Sequence, residues 1–369
     1  MNNKKFTAVA AGILAVVWLV LTGFVWFTPD QKVSTSERRP LDQMPEFSQE
    51  AFLDGSFQKA FEAYLKDQFP RRDEFRQLKG ILYTFLLNQK TDANGMFYMD
   101  GHLSQHNVAF NAEAFQQRMD ALNRVYEKYL KEANANVYVS VVPDKNYYLA
   151  QNNNFPVLDY EKIFAEVQDQ MGWGQYIDMT SALDLDCFYT TDTHWRQESI
   201  IPVAQLLCQA MGVQGPNADD YTMEKIDKPF YGVWYGKAGL PVPPDELNIL
   251  RSDLLDSLTI KVEMMKETPI YDYTQLESSD PYNIFLSGAK TSLVTIENPN
   301  ATTDKKLVIF RDSFGSSITP LLVQDYASIT LVDLRVMTSM NLRMVDFQDA
   351  DVLFMLSALV LNNLGEAFR

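Results

Sequence analysis

Between Lys305 and Leu356 the chain alternates short apolar runs with more polar segments: KKLVIF, then SFGSSITPLLVQ, then ASITLVDL, a polar stretch, and ADVLFML. Runs that are apolar at nearly every position suit strands covered on both faces. Their alternation with helical segments implies parallel strands joined by right-handed crossovers, with helices on both sides of the sheet. The expected pattern is βαβαβ in an α/β fold. ANVYVSVVP, which follows a helical stretch over 112–132, supplies another buried strand. LTIKVEMM is strand-like, but the proline-bearing middle of the chain, 215–300, has no readable order and reads as an insertion or irregular flank. No internal repeat or low-complexity tract is visible.

The N-terminus is a different kind of signal. Phe6 to Phe27, FTAVAAGILAVVWLVLTGFVWF, carries no charge over a length that spans a bilayer core as a helix. It is apolar all round with no polar face, which argues against the alternative of a buried core helix. Lys4 and Lys5 precede it, and Trp26 and Phe27 close it at interface depth, so residues 1–5 are expected in the cytoplasm and everything after Asp30 outside. A cleaved signal peptide is the rival, disfavoured by the length of the run and by the lack of a small-x-small site. Residues 28–46 are polar and read as a linker, and 47–369 as the extracytoplasmic domain. That domain begins with two helices broken at Pro70, FSQEAFLDGSFQKAFEAYLKDQF and RRDEFRQLKGILYTFLL. A net charge of -16 argues against a nucleic-acid partner, since phosphate binders need basic surfaces.

Open α/β sheets present reactive groups beyond the carboxyl ends of their strands. LVIFRDSFGSS ends a strand at Phe310 and places Ser313 at the turn into a helix, a candidate nucleophile beside unpaired first-turn N–H groups. The bland alternative makes Ser313 or Asp312 an N-cap. TTDTHW holds Asp192 and His194 two positions apart. Residues i and i+2 share a face only in an extended segment, which the threonines favour, and there the carboxylate would orient the imidazole as a catalytic base. A structural histidine beside Trp195 is the competing reading. His102 and His106, four apart, would share a helix face and hold a metal, but Asp100 and Gly101 favour a turn and surface histidines are expected instead. Trp234 and Tyr235, set between glycines in YGVWYGKAG, could stack on sugar faces or simply pack. Cys187 and Cys208 could close a loop of about 20 residues, worth roughly 3 kcal/mol, or remain two buried thiols.

DQFPRRDEF (67–75), VVPDK (141–145), DTHW (192–195), FYGVWYGKAG (230–239), IFRDSFGSS (309–317) and VDLR (332–335) occur in an order that makes the chain resemble the DHHW family. That family is in turn similar to the alginate O-acetyltransferases of the SGNH-hydrolase-like superfamily. The resemblance implies a three-layer α/β/α domain with a mostly parallel sheet, Ser313 as nucleophile, His194 as general base and Asp192 as its orienter. The acid–histidine pair precedes the serine, the reverse of the usual SGNH order. Thr193 stands where the family name expects histidine. SGNH enzymes complete the oxyanion hole with a glycine and an asparagine from later loops; no such pair is obvious here, and Gly288 and Arg335 are the candidates. Lys145, closing VVPDK, is a further substrate-contact candidate.

The expected activity is that of a membrane-anchored serine O-acetyltransferase acting on a cell-surface glycan. The implied partner is a membrane-bound O-acyltransferase that passes acetyl groups outward. Covalent catalysis of this kind calls for no metal and no cofactor. The same triad would serve a carbohydrate acetylesterase, and a non-catalytic glycan-binding or assembly protein could have kept the fold.

Overall fold

In the computed structural model, which describes residues 3–34, 36–87, 91, 95–107, 109–263, 266–288, 291–363 and 368, the strands expected between 305 and 356 lie side by side. Residues 1 and 2 of the expected tail, and the side chains of Lys4, Lys5 and Trp26, lie outside the described set. Two compact units divide the chain: Met1–Asp92 with Tyr235–Val242, and Ala93–Trp234 with Pro243–Arg369.

The first unit contains α1 (Asn3–Phe27), the short strands β1 (Val33–Ser34) and β2 (Arg39–Pro40), and α2 (Gln49–Leu53), α3 (Ser56–Asp67) and α4 (Arg72–Ile81). A π-helical turn, Leu82–Leu86, continues α4. Pro70 falls between α3 and α4, where its missing N–H and fixed φ interrupt the helical ladder. Within α1, Phe6–Val25 is long and apolar enough to cross a membrane, and among its described residues none is buried inside the molecule. Residues 28–46, expected as a plain linker, are tied down here. Arg39 donates two bonds to Asp67, at 2.7 and 2.6 Å, and Gln31 and Gln68 exchange hydrogen bonds. The Arg39 guanidinium is the main cause holding the Asp67 carboxyl down to about 2.

The second unit runs β3 (Met96–Met99), β4 (His102–Gln105), α5 (Ala112–Val125), β5 (Asn136–Val142), α6 (Lys145–Asn153), α7 (Tyr160–Gln170), β6 (Gln175–Tyr176), α8 (Ile201–Ala210) and β7 (Thr222–Lys225). The chain passes back to the first unit through α9 (Val233–Ala238). It then continues as β8 (Asn248–Arg251), α10 (Asp253–Ser257), β9 (Thr259–Val262), β10 (Lys266–Thr268), β11 (Leu293–Glu297), β12 (Lys306–Arg311), α11 (Phe314–Ile318), β13 (Ser328–Val332), α12 (Ser339–Leu342), β14 (Asp351–Ser357) and α13 (Ala358–Leu361).

Eight of these strands form one sheet in the order β10-β9-β11-β13-β12-β14-β5-β6. The pairings from β13 through to β6 are parallel, and β11, β9 and β10 add an antiparallel edge. Pleating sends alternate residues of each central strand to opposite faces. Leu307 and Ile309 enter one core with Val203 and Leu207 of α8, while Val308 and Phe310 enter the other with Met119 of α5 and Ile163 of α7. This is a three-layer α/β/α arrangement, and it explains why β12 and β14 read as uninterrupted apolar runs. LTIKVEMM contributes β9 near the antiparallel edge, and the polar stretch expected as a crossover helix is largely turns with one helical turn at α12.

Candidate active site

Asp312 caps the β12–α11 turn. Its carboxylate is fully buried and accepts the N–H of Phe314 at 3.0 Å and that of Ser357, at the end of β14, at 2.7 Å. Capping is thus done by Asp312, which leaves Ser313 free of that task. The Ser313 hydroxyl makes no cap bond and sits 2.7 Å from Nε2 of His194. Among the described residues the Ser313 N–H has no hydrogen-bond acceptor.

His194 Nδ1 lies 2.6 Å from Asp192 Oδ1. With Asp192 ionised, Nδ1 carries the proton and Nε2 accepts from the serine, a tautomer assigned from the network. Asp192 Oδ1 also accepts the His194 backbone N–H at 3.1 Å, and Oδ2 accepts that of Val233 at 2.7 Å. The dyad therefore does not sit on an extended strand, as its spacing suggested. Phe188 and Trp195 form an antiparallel bridge, Tyr189 N–H bonds to His194 O, and the residues between fold into a tight bend closed by the aspartate bonding two residues ahead. An aspartate side chain competes well for such local N–H groups.

The bend is fixed from beneath. Asp245 accepts the N–H groups of Thr190 and Thr191 at 2.6 and 2.7 Å and the Thr191 hydroxyl at 2.5 Å. Gly232 N–H bonds to that hydroxyl and Trp234 N–H to Thr191 O. The imidazole lies flat against Tyr282, with centroids 3.9 Å apart and planes at 8°, and Phe314 packs at 5.1 Å. Tyr282 is held in turn by Ser317, which also accepts the Trp195 indole N–H. A serine, an imidazole and a carboxylate in line, on rigid surroundings, can pass one proton from hydroxyl to ring while the hydroxyl oxygen attacks an electrophile.

No protein-family model and no curated protein matches the chain. Solved structures do. A DHHW family protein from Eubacterium siraeum superposes with a TM-score of 0.60 at 20% identity, covering 75% of this chain and 95% of that one. Bacillus cereus PatB1 with a sulfonyl adduct gives 0.58 at 19% identity, covering 74% and 98%. The O-acetyltransferase domain of Pseudomonas putida AlgJ gives 0.44 at 14% identity, covering 73% and 94%. The fold is SGNH-hydrolase-like.

On this SGNH-like frame several other candidates take structural places. Gly288 donates its N–H to Phe285 O at 2.9 Å, so that amide does not face a substrate; its φ of +82° and the Asn283 side chain pressed against it account for the glycine. Arg335 is folded back onto Asp333, with Nε and an Nη at 2.9 and 2.7 Å from the carboxylate. Lys145 is fully buried rather than set toward a substrate. Its ammonium donates to the carbonyls of Tyr189 and Thr190 at 2.8 and 3.1 Å, and burial pushes it down to about 7. Trp234 is buried, whereas Tyr235 is half-buried and falls in the first unit.

Cys187 and Cys208 are free thiols, not a disulfide. Cys187 ends a 3-10 turn near Ser199 O and Cys208 lies inside α8, each in apolar surroundings that raise its thiol, to about 11 and about 12. His102 lies on β4 and His106 just past it, so the helical i,i+4 face does not exist. Burial pushes His102 down to about 4, and His106 donates to Pro156 O.

Asp245, Gly232 and Tyr282 also hold the site, beyond the residues that the sequence singles out. Gly232, inside FYGVWYGKAG, carried a signal: paired glycines around aromatics mark a close backbone approach. Asp245 and Tyr282 stand in the 215–300 region, where nothing in the local sequence marks them.

Proposed function

We propose that the chain is a membrane-anchored, extracytoplasmic serine O-acetyltransferase that modifies a cell-surface polysaccharide. The observation that carries the reading is the continuous line from Ser313 Oγ through the His194 ring to Asp192, at 2.7 and 2.6 Å. In the first half-reaction Ser313 Oγ attacks the acetyl carbonyl of the donor as its proton passes to Nε2. The tetrahedral intermediate then expels the donor's leaving group, which takes that proton. In the second, a sugar hydroxyl yields its proton to Nε2 and attacks acetyl-Ser313, and collapse returns the proton to the serine. Asp192 keeps Nδ1–H in place throughout and stabilises the imidazolium. The Ser313 N–H is the first donor for the intermediate's oxyanion.

Two further observations support the assignment. PatB1, of similar fold, carries a sulfonyl adduct. The apolar helix Phe6–Val25 suits an anchor that leaves the remaining chain outside, where acetyl groups would have to be delivered by a membrane-bound O-acyltransferase. The reading is tested by incubating the full chain with an activated acetyl ester and a panel of cell-wall oligosaccharides. Acetylated oligosaccharide, dependent on Ser313 and His194, is expected. Free acetate alone across all acceptors makes the protein an esterase instead.

A further inference from the structure

We infer that α4 and the π-helical turn after it lie on the outer face of the lipid bilayer beside the anchor, an inference that rests on reading α1 as a membrane span. Phe75, Leu78, Ile81, Leu82, Phe85 and Leu86 are all exposed, Phe85 at 62% and Leu86 at 72%. Spacing of three and four residues from Phe75 through Leu78 to Leu82 lines them along one side. The other side is already occupied within the same unit. Arg76 donates to Gly236 O at 2.6 Å, and Gly80 lies so close to residues 238–240 that a Cβ there would come within 2.8 Å of Gly239 O. The apolar row is therefore the free face of a fixed helix, and in water it would cost the unit solubility.

Lipid is the occupant that the surroundings favour. A cavity of about 160 Å³ is lined jointly by Thr28 and Pro29, directly after the apolar helix, and by residues 69–74, where α4 begins. Tyr64 bonds to Asp30 and Gln68 to Gln31, fixing the α3–α4 corner at the outer end of α1. If α1 spans, the row starts at headgroup level, and bilayer is within reach before any protein partner is recruited. Its border has interfacial chemistry: Lys79 reaches over the Tyr83 ring at 5.6 Å, and a lysine stem with a tyrosine beside it is the pairing that sits between acyl chains and water. Helices of this kind lie in the interface with the apolar side down.

The test uses the full chain reconstituted in vesicles containing doxyl-labelled phospholipid. A polarity-sensitive fluorophore is attached at Phe85→Cys, at Leu78→Cys, at Trp18→Cys within α1, and at Glu62→Cys on the exposed polar side of α3; both native thiols are buried. Labels at 85 and 78 are expected to lose emission as doxyl lipid increases, most with the quencher near the headgroups. The label at 18 should be quenched most by deep doxyl groups, and the label at 62 should not respond. Quenching at 18 without quenching at 85 and 78 overturns the inference and leaves the anchor standing. Absence of quenching at 18 removes the anchor itself and the inference with it. A label at 85 that shifts to an apolar environment without lipid quenching, and only in the presence of another membrane protein, assigns the face to that protein and also overturns it.

Discussion

A methyl group on Gly232 would sit 2.3 Å from the Cβ of Asp192, inside any tolerable contact and against atoms that cannot swing away. The chain can afford no side chain at 232 because Gly232 and Val233 send their N–H groups into the DTHW bend, one to Thr191 and one to Asp192. Gly232→Ala is therefore expected to displace the orienting carboxylate and lower acetylation of Ser313 by about 100-fold, the scale of a 1 Å misplacement. Single-turnover labelling, with circular dichroism to verify folding, checks this; an unimpaired rate would show that Asp192 does not depend on that contact. Lys145 makes a separate claim. Folded, it releases its proton near 7, whereas in the unfolded chain it holds it toward its ordinary 10.5. The unfolded state binds more protons across that window, so stability rises with pH there. Relative to Lys145→Met, which has no such proton, the wild type should gain stability in melts taken from pH 7 to pH 9, and a difference that stays flat or falls contradicts the buried ammonium.

The bend at 190–194 is an element with no regular secondary structure, held by a carboxylate more than fifty positions away in the chain. Asp245→Ala leaves the buried Thr191 N–H and the half-buried Thr190 N–H without their acceptor, a cost on the order of 1–3 kcal/mol for the buried one. It should also loosen His194, so the acetylation rate should fall more steeply than the melting temperature, whereas Asp245→Asn, which keeps an acceptor oxygen, should recover part of it. Loss of stability with an unchanged rate would place Asp245 outside the mechanism. The same element shows what local sequence conveys and what it omits. The pairing of Asp192 with His194 was legible from their spacing, but the extended geometry inferred from three threonines was not what forms. The aspartate captures the N–H two residues on, and β propensity yields to that bond and to the distant Asp245. Ser313 was legible as a residue of the turn that follows a buried strand. Asp312 as the local cap was legible too; its second bond, to Ser357 of another strand, was not.

For the molecule as a whole, the parallel half of the sheet was readable because β12, β13, β14 and β5 are buried on both faces and carry that burial in their composition. The antiparallel edge was not, since β9, β10 and β11 are short, partly exposed and separated by irregular chain. Residues 28–46 have a linker's composition, and yet Arg39 among them is held by a charge pair with Asp67, which no periodicity records. The parallel strands β12 and β14 describe how Ser313 is delivered to His194. The proposed function requires that Ser313 Oγ take up the acyl group. Peptide-level mass spectrometry of the full chain after brief exposure to an activated acetyl ester should place one added acetyl group on Ser313, absent in Ser313→Ala and greatly reduced in His194→Ala. An adduct elsewhere, or labelling of Ser313 that is indifferent to His194, would contradict it.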